Sequence, residues 1–273
     1  MSTNRPSRDA AIGVAFRRSL VVIGVAAAVA LIVILVRVLA TPPPPAIPEA
    51  DVDLSGLLET ERQPAAPAAP FRDITRDAGI AFVHQNGARG DRMLPETMGG
   101  GVAWLDFDND GDQDLLFVNS DTWPFARDPA APRPRALYLY RNDGTGRFAD
   151  ASAEAGLGAA AFYGQGVAVA DFDADGWEDL FITAVGENRL YRNLGGKFVD
   201  VTAAAGVAGG ADTWSTSAGF FDYDGDGWLD LFVVNYVQWS REIDLEVNYR
   251  LAGVGRAYGP PTNFRGTPSR STS

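Results

Sequence analysis

GVAWLDFDNDGDQDLLFVN, running from Gly101 to Asn119, returns without gaps as GVAVADFDADGWEDLFITA from Gly166 to Ala184 and as SAGFFDYDGDGWLDLFVVN from Ser217 to Asn235. The first aspartates of the three stretches, Asp106, Asp171 and Asp222, are spaced by 65 and then 51 residues. Other pieces recur around them. LYRN stands at Leu139–Asn142 and Leu190–Asn193, and a ten-residue piece reads FRDITRDAGI from Phe71, FADASAEAGL from Phe148 and FVDVTAAAGV from Phe198. Self-similarity of this kind marks a chain built from one supersecondary unit that buries its faces only by stacking on its neighbours.

The pattern inside a unit predicts four short strands, placed in the first unit near Val102–Leu105, Asp114–Asn119, Ala136–Arg141 and Arg147–Asp150. The second strand (DLLFVN, DLFITA, DLFVVN) is almost wholly apolar, as a strand covered on both faces must be. Four-stranded units repeated in this way predict an all-β chain, a partial β-propeller of about three blades. Three hairpins of a sandwich are the competing arrangement, and sandwiches rarely repeat sequence at a fixed period.

Each unit carries Asp-x-Asp-x-Asp-Gly-x-x-Asp between its first two strands. The acids are Asp106, Asp108, Asp110 and Asp114, then Asp171, Asp173, Asp175 and Asp179, then Asp222, Asp224, Asp226 and Asp230. Crowded carboxylates raise one another's pKa unless a cation neutralises them. Calcium takes six to eight hard oxygens in flexible geometry, and positions 1, 3, 5 and 9 of a curled loop supply carboxylates. The residues at position 7, Asp112, Trp177 and Trp228, share only a main-chain carbonyl, so they are expected to ligate through it. One calcium per repeat, three in total, is the expectation. Magnesium demands stricter octahedral geometry, and Asp/Gly turns without metal are the other alternative. The loop is not an EF-hand, because position 12 is Phe117, Ile182 or Val233 where a bidentate acid is required.

With these residues in view, the loops and their flanking strands resemble FG-GAP (VCBS-type) repeats, the calcium-binding propeller blades also found in integrin α subunits. The string LPETMGGGVAWLDFDNDGDQDLLFVN from Leu94, with LYRN and the F-x-D-x-T/S pieces, is similar to the cartilage acidic protein and ASPIC/UnbV group of secreted or anchored repeat proteins. The resemblance implies that the residues named above hold the calcium. It also implies further blades and a separate C-terminal domain, whereas here the third unit lacks LYRN and the chain looks truncated.

Outside the repeats the sequence changes character. Leu20–Val36 is an unbroken run of apolar residues and glycine, continued after Arg37 by Val38, Leu39 and Ala40, and its reach of about 30 Å matches a bilayer core. Arg5, Arg8, Arg17 and Arg18 precede it, and no Lys or Arg follows between Val38 and Glu61, which places the N-terminus in the cytoplasm. The expected organisation is a cytoplasmic tail at 1–18, a transmembrane signal-anchor at 19–40, a Pro/Ala-rich spacer at 41–70 and the repeat region at 71–273. Cleavage as a signal peptide would make the chain secreted instead; its apolar core is longer than the roughly 7–15 residues usual there.

Composition closes off most other chemistry. The 273 residues carry 23 Lys+Arg against 35 Asp+Glu, a formal charge of −12, which argues against a nucleic-acid partner. There is no cysteine, so disulfides, Cys-ligated metals and thiol catalysis are excluded, and one histidine, His84, leaves no multi-His metal site. No nucleophile motif accompanies His84, and Glu96 and Glu187 are the acids left for hydrolytic chemistry outside the loops. Trp123, Trp214 and Trp239 fit core packing better than sugar stacking. The expected function is therefore a calcium-dependent binding or adhesion module, not an enzyme, meeting an extracytoplasmic protein or matrix partner. A carbohydrate-binding propeller, with a glycan ligand, is the alternative, and a polysaccharide-acting enzyme the remoter one.

Overall fold

The computed structural model describes residues 71–272 apart from 122, 124, 126–129 and 131–133. The expected tail, membrane span and spacer at 1–70 lie outside the described residues, among which no helix is long and apolar enough to cross a membrane. What is described is mostly β-sheet with a few short helices.

The first unit is a four-stranded antiparallel sheet: β1 (Val102–Leu105), β2 (Asp114–Val118), β3 (Leu137–Asn142) and β4 (Phe148–Asp150), paired in chain order. The second repeats it with β5 (Tyr163–Ala170), β6 (Asp179–Val185), β7 (Arg189–Asn193) and β8 (Phe198–Asp200). The registers coincide, since Leu115 faces Tyr140 in the first unit and Leu180 faces Tyr191 in the second.

In the third unit, β9 (Thr213–Phe221) and β10 (Asp230–Gln238) form the same hairpin. The chain then makes an excursion through the helix Arg241–Val247 and the ribbon β11 (Arg250–Leu251) and β12 (Gly255–Arg256). It returns as β13 (Arg270–Thr272), whose Thr272 faces Leu231. The expectation of four strands in this unit is thus corrected. Among the described residues it has three, and β13 occupies the edge where the other units place LYRN. Nothing in the composition of Arg270-Ser271-Thr272 announces a strand; the open edge of β10 supplies the pairing.

The strands at the centre of each unit are apolar on both sides because they separate two cores. Leu180 and Ile182 of β6 pack with Leu105, Phe107, Leu116 and Leu139 of the first unit, while Phe181 between them packs with Leu231 and Val233 of the third. Each wholly buried Leu or Ile in such a seam contributes roughly 1.5–3 kcal/mol. The first strands of neighbouring units approach still more closely. A Cβ on Gly101 would stand 3.0 Å from Gly166 Cα, and one on Gly166 would stand 2.5 Å from the Thr216 carbonyl beside Ser217. Gly101, Gly166 and Ser217 hold the same place in the three repeats, so the units meet backbone to backbone there.

Away from the aspartate loops a second core gathers Trp123, Tyr163, Trp214 and Trp239, with Trp214 fully enclosed, so these tryptophans are core residues. The excursion of the third unit is bound into this region by buried charge. Ser240 caps the helix Arg241–Val247. Asp244 within it accepts from the Leu94 amide at 2.8 Å and from Trp239 Nε1 at 2.7 Å, and pairs with Arg256. Arg256 Nε in turn donates to the Asp91 carbonyl at 2.7 Å.

The close approach at Gly166 is testable. Gly166→Ala should destabilise the repeat region by about 1–3 kcal/mol in denaturant melts, because the nearest colliding atom is the backbone carbonyl oxygen of Thr216, with the Thr183 hydroxyl also within 3 Å. Gly219→Ala, where an added Cβ meets nothing within 4 Å, should stay within about 0.5 kcal/mol of the parent.

Candidate metal centre

The three loops are folded by the same local bonds. The position-1 carboxylate curls the chain: Asp106 accepts the N–H groups of Asp110 and Gly111, both at 3.0 Å, and Asp171 accepts those of Asp175 at 3.0 Å and Gly176 at 2.8 Å. Asp222 does the same with Asp226 at 3.2 Å and Gly227 at 3.0 Å. The turn requires left-handed backbone at position 6, where Gly111, Gly176 and Gly227 have φ of 91°, 89° and 91°. The position-9 carboxylate ties the loop's base, accepting the position-2 N–H: Asp114 from Phe107 at 3.1 Å, Asp179 from Phe172 at 3.0 Å and Asp230 from Tyr223 at 2.7 Å.

Folding the loop in this way brings three acids together. Asp106, Asp108 and Asp114 place carboxylate oxygens within 4.8 Å of one another, as do Asp171, Asp173 and Asp179, and Asp222, Asp224 and Asp230. In the first two clusters Asp108 Oδ1 and Asp173 Oδ1 are buried without a hydrogen-bond partner. A buried, unpaired carboxylate oxygen is costly to leave unsatisfied. The donor set is all hard oxygen, which suits a divalent cation such as calcium or magnesium and not a soft metal.

The remaining candidates sit elsewhere in the loop. The position-5 acids Asp110, Asp175 and Asp226 are outside the triple clusters; each accepts the N–H of its position-7 residue, Asp112, Trp177 or Trp228, at 2.8–3.1 Å. The Asp112 carboxylate lies against Gly144, the Trp177 ring lies near Gly195, and Trp228 is exposed.

Several residues that complete the site were not singled out in the sequence. The arginine of LYRN pairs with position 3: Arg141 Nε lies 2.8 Å from Asp108 Oδ2, and Arg192 Nε 2.5 Å from Asp173 Oδ2. The asparagine that follows donates its backbone N–H to position 9, Asn142 to Asp114 at 2.8 Å and Asn193 to Asp179 at 2.7 Å. Glu178 of the second loop accepts from the Asp106 amide at 2.7 Å, and Asn109 donates to the Gly176 carbonyl at 2.9 Å, so the first two loops are bonded to each other. The recurrence of LYRN was the available signal. The third unit has no such tetrapeptide, and its Asp222 and Asp224 are exposed.

Residues 106–182 and 171–233 each match the family model of the FG-GAP-like repeat. Over residues 106–233 the chain is similar to FG-GAP-like repeats. The two matches overlap across the second loop, and the second of them takes in the third loop as well. No curated protein matches the chain. FG-GAP-like repeats typically build binding modules rather than enzymes. Of the residues weighed for acid–base chemistry, Glu96 accepts from Trp123 Nε1 at 2.9 Å and Tyr258 Oη at 3.1 Å, Glu187 pairs with Arg189 at 3.3 Å, and His84 lies exposed beside Gly100.

Electrostatics within these repeats follow from the crowding. Burial pushes the Asp114 and Asp179 carboxyls up to about 6; two backbone N–H bonds act against the shift, and the neighbouring position-3 and position-5 carboxylates add to it. A carboxyl raised in this way holds its proton in the folded chain where the unfolded chain has released it. Its stabilising effect is complete below about pH 4 and is lost as pH climbs through about 6. In chelator, the melting temperature should therefore fall between pH 5 and pH 7. A steady rise across that window would contradict the assignment.

Proposed function

We propose that this chain is a calcium-braced, propeller-type binding module displayed outside the cytoplasm, serving adhesion or recognition of a protein or matrix partner. The observation that carries the reading is the threefold recurrence of one carboxylate cluster, with buried Asp108 Oδ1 and Asp173 Oδ1 left without protein donors. Calcium bound there would neutralise the three acids and fix the hairpin between the first two strands of each unit. Asp106, Asp108 and Asp114 would hold it in the first repeat, with the corresponding residues in the others, one ion to each. Extracellular sites of this kind bind at about 10⁻⁴–10⁻³ M, which suits standing occupancy.

The units take the part of propeller blades in this reading, stacked through the seams around Leu180 and Phe181. The segment 19–40 anchors the chain in a membrane and 41–70 holds the repeats clear of it, with secretion after cleavage as the alternative. Kinship with the cartilage acidic protein and ASPIC/UnbV group belongs to the same proposal, supported by LYRN and the F-x-D-x-T/S pieces.

One observation favours a second reading, a glycan ligand. Trp123, Phe125, Phe162 and Trp239, with Glu187 and Arg189, line a cavity of about 420 Å³ at the end of the units away from the loops. Trp123 is stacked on Tyr163 with centroids 4.0 Å apart, however, so much of its ring surface is already covered.

Calcium titration of the full chain tests the metal reading. The melting temperature should rise with calcium and fall with chelator, by about 2.7 kcal/mol of added stability at a hundredfold excess over the dissociation constant. Combining Asp108→Ala, Asp173→Ala and Asp224→Ala should abolish the rise, and a melting curve indifferent to millimolar calcium would overturn it. Presenting the chain to purified matrix proteins and to a glycan array, with and without calcium, separates the partner classes. Calcium-dependent capture by glycans alone would replace the protein-partner reading.

A further inference from the structure

The first two aspartate loops are joined through three side chains, each acting on or beside a residue of a carboxylate cluster or its turn. Glu178 Oε2 accepts the Asp106 N–H at 2.7 Å. Asn193 Nδ2 donates to the Phe107 carbonyl at 2.8 Å and to the Glu178 carbonyl at 3.2 Å. Asn109 Nδ2 donates to the Gly176 carbonyl at 2.9 Å. Asp106 belongs to the first cluster, and Glu178 immediately precedes Asp179 of the second. Asn193 is fully buried and holds both loops at once: its backbone N–H donates to Asp179 Oδ1 at 2.7 Å while its side-chain amide reaches into the first loop.

The corresponding residues elsewhere do not bridge. Asn142 stands where Asn193 does, and its side chain donates to the Gln113 carbonyl of its own loop at 3.0 Å. Between the second and third loops the two direct links have no counterpart. Leu229 holds the place of Glu178 and Ala174 that of Asn109, and neither side chain offers an acceptor or a donor.

The links require both loops to be curled. The turn that sets the Asp106 carboxylate on the Asp110 and Gly111 amides also presents its N–H to Glu178. The turn closed by Asp171 on the Gly176 N–H presents the Gly176 carbonyl to Asn109. Three acids within 4.8 Å of one another work against each turn until a cation neutralises them. A cation in one loop therefore holds out that loop's half of every link to the other. Two divalent ions repel each other, and the Glu178 carboxylate stands at the junction as a counter-charge.

Resting on the calcium reading above, we propose that the first and second loops take up calcium as a coupled pair, with Glu178 and Asn193 as the positioning residues, and that the third loop fills independently of them. The coupling is reciprocal. An ion in either loop raises the affinity of the other by the same factor, about tenfold, within the range usual for linked sites.

Calorimetric calcium titration of the full chain in detergent tests this. Asp224→Ala removes the third site and leaves the pair, which should bind two ions with a Hill coefficient of about 1.5, the value a tenfold coupling gives. Adding Asp108→Ala should leave the second loop binding one ion about tenfold more weakly, and adding Asp173→Ala instead should weaken the first loop by the same factor. In the Asp224→Ala background, Glu178→Ala should still bind two ions but without cooperativity. Glu178→Gln, which keeps a carbonyl acceptor for the Asp106 N–H, should keep it. With Asp173→Ala alone, the first and third loops should fill without cooperativity. Two ions bound independently in the Asp224→Ala chain, or a second loop indifferent to Asp108→Ala, overturns the coupling and leaves the calcium reading standing. A parent chain that takes up no calcium overturns both.

Discussion

The buried carboxylate at the ninth loop position is the group on which each repeat depends. Asp114 and Asp179 sit at the base of their loops, fully enclosed, and each accepts one N–H from within the loop and one from the third strand. A single side chain therefore fixes the loop, the hairpin it joins and the register of the strand beyond. The group is also held beside two further acids, which makes the fold's anchor its main electrostatic liability. The arginine that follows in the third strand offsets part of that charge from outside the cluster. The third unit lacks both partners from LYRN, so its loop keeps the shape through bonds within the loop, from Asp222, Asp224, Asp226 and Asp230.

Stacking adds the second constraint. A strand such as β6 has no polar face to show to water, so its stability is inseparable from neighbours on both sides. The glycines at the start of the first strands then decide how closely those neighbours come. Gly101 and Gly166 permit backbone contact at the place where side chains would hold the units apart. Hydrophobic seam and glycine contact act together: the first supplies the driving force, the second sets the spacing.

Much of this was legible in the sequence because it rests on local periodicity. The strands of the first unit fall within one residue of the pattern's reading, since alternation, apolar runs and Asp/Gly turns are short-range signals. The grouping of positions 1, 3 and 9 was only partly legible. Position 5 has the same residue type, and what separates it is a short bond to the amide two residues on, a local competition that spacing does not reveal. The roles of Arg141 and Asn142 required knowing that the third strand lies against the loop of the second. β13 was invisible for a similar reason, its strand character being imposed by β10.

The excursion between β10 and β13 has a consequence for how the molecule is made. Asp244 and Arg256 bond to Leu94 and Asp91, groups about 150 and 165 positions earlier in the chain. On a ribosome, the Asp91 carbonyl and the Leu94 amide wait for these partners while the first two units emerge, and meet them only when this late loop appears. Local hairpins can assemble as they are translated; the fastening is a long-range step, and its loop-closure entropy makes it the slow one.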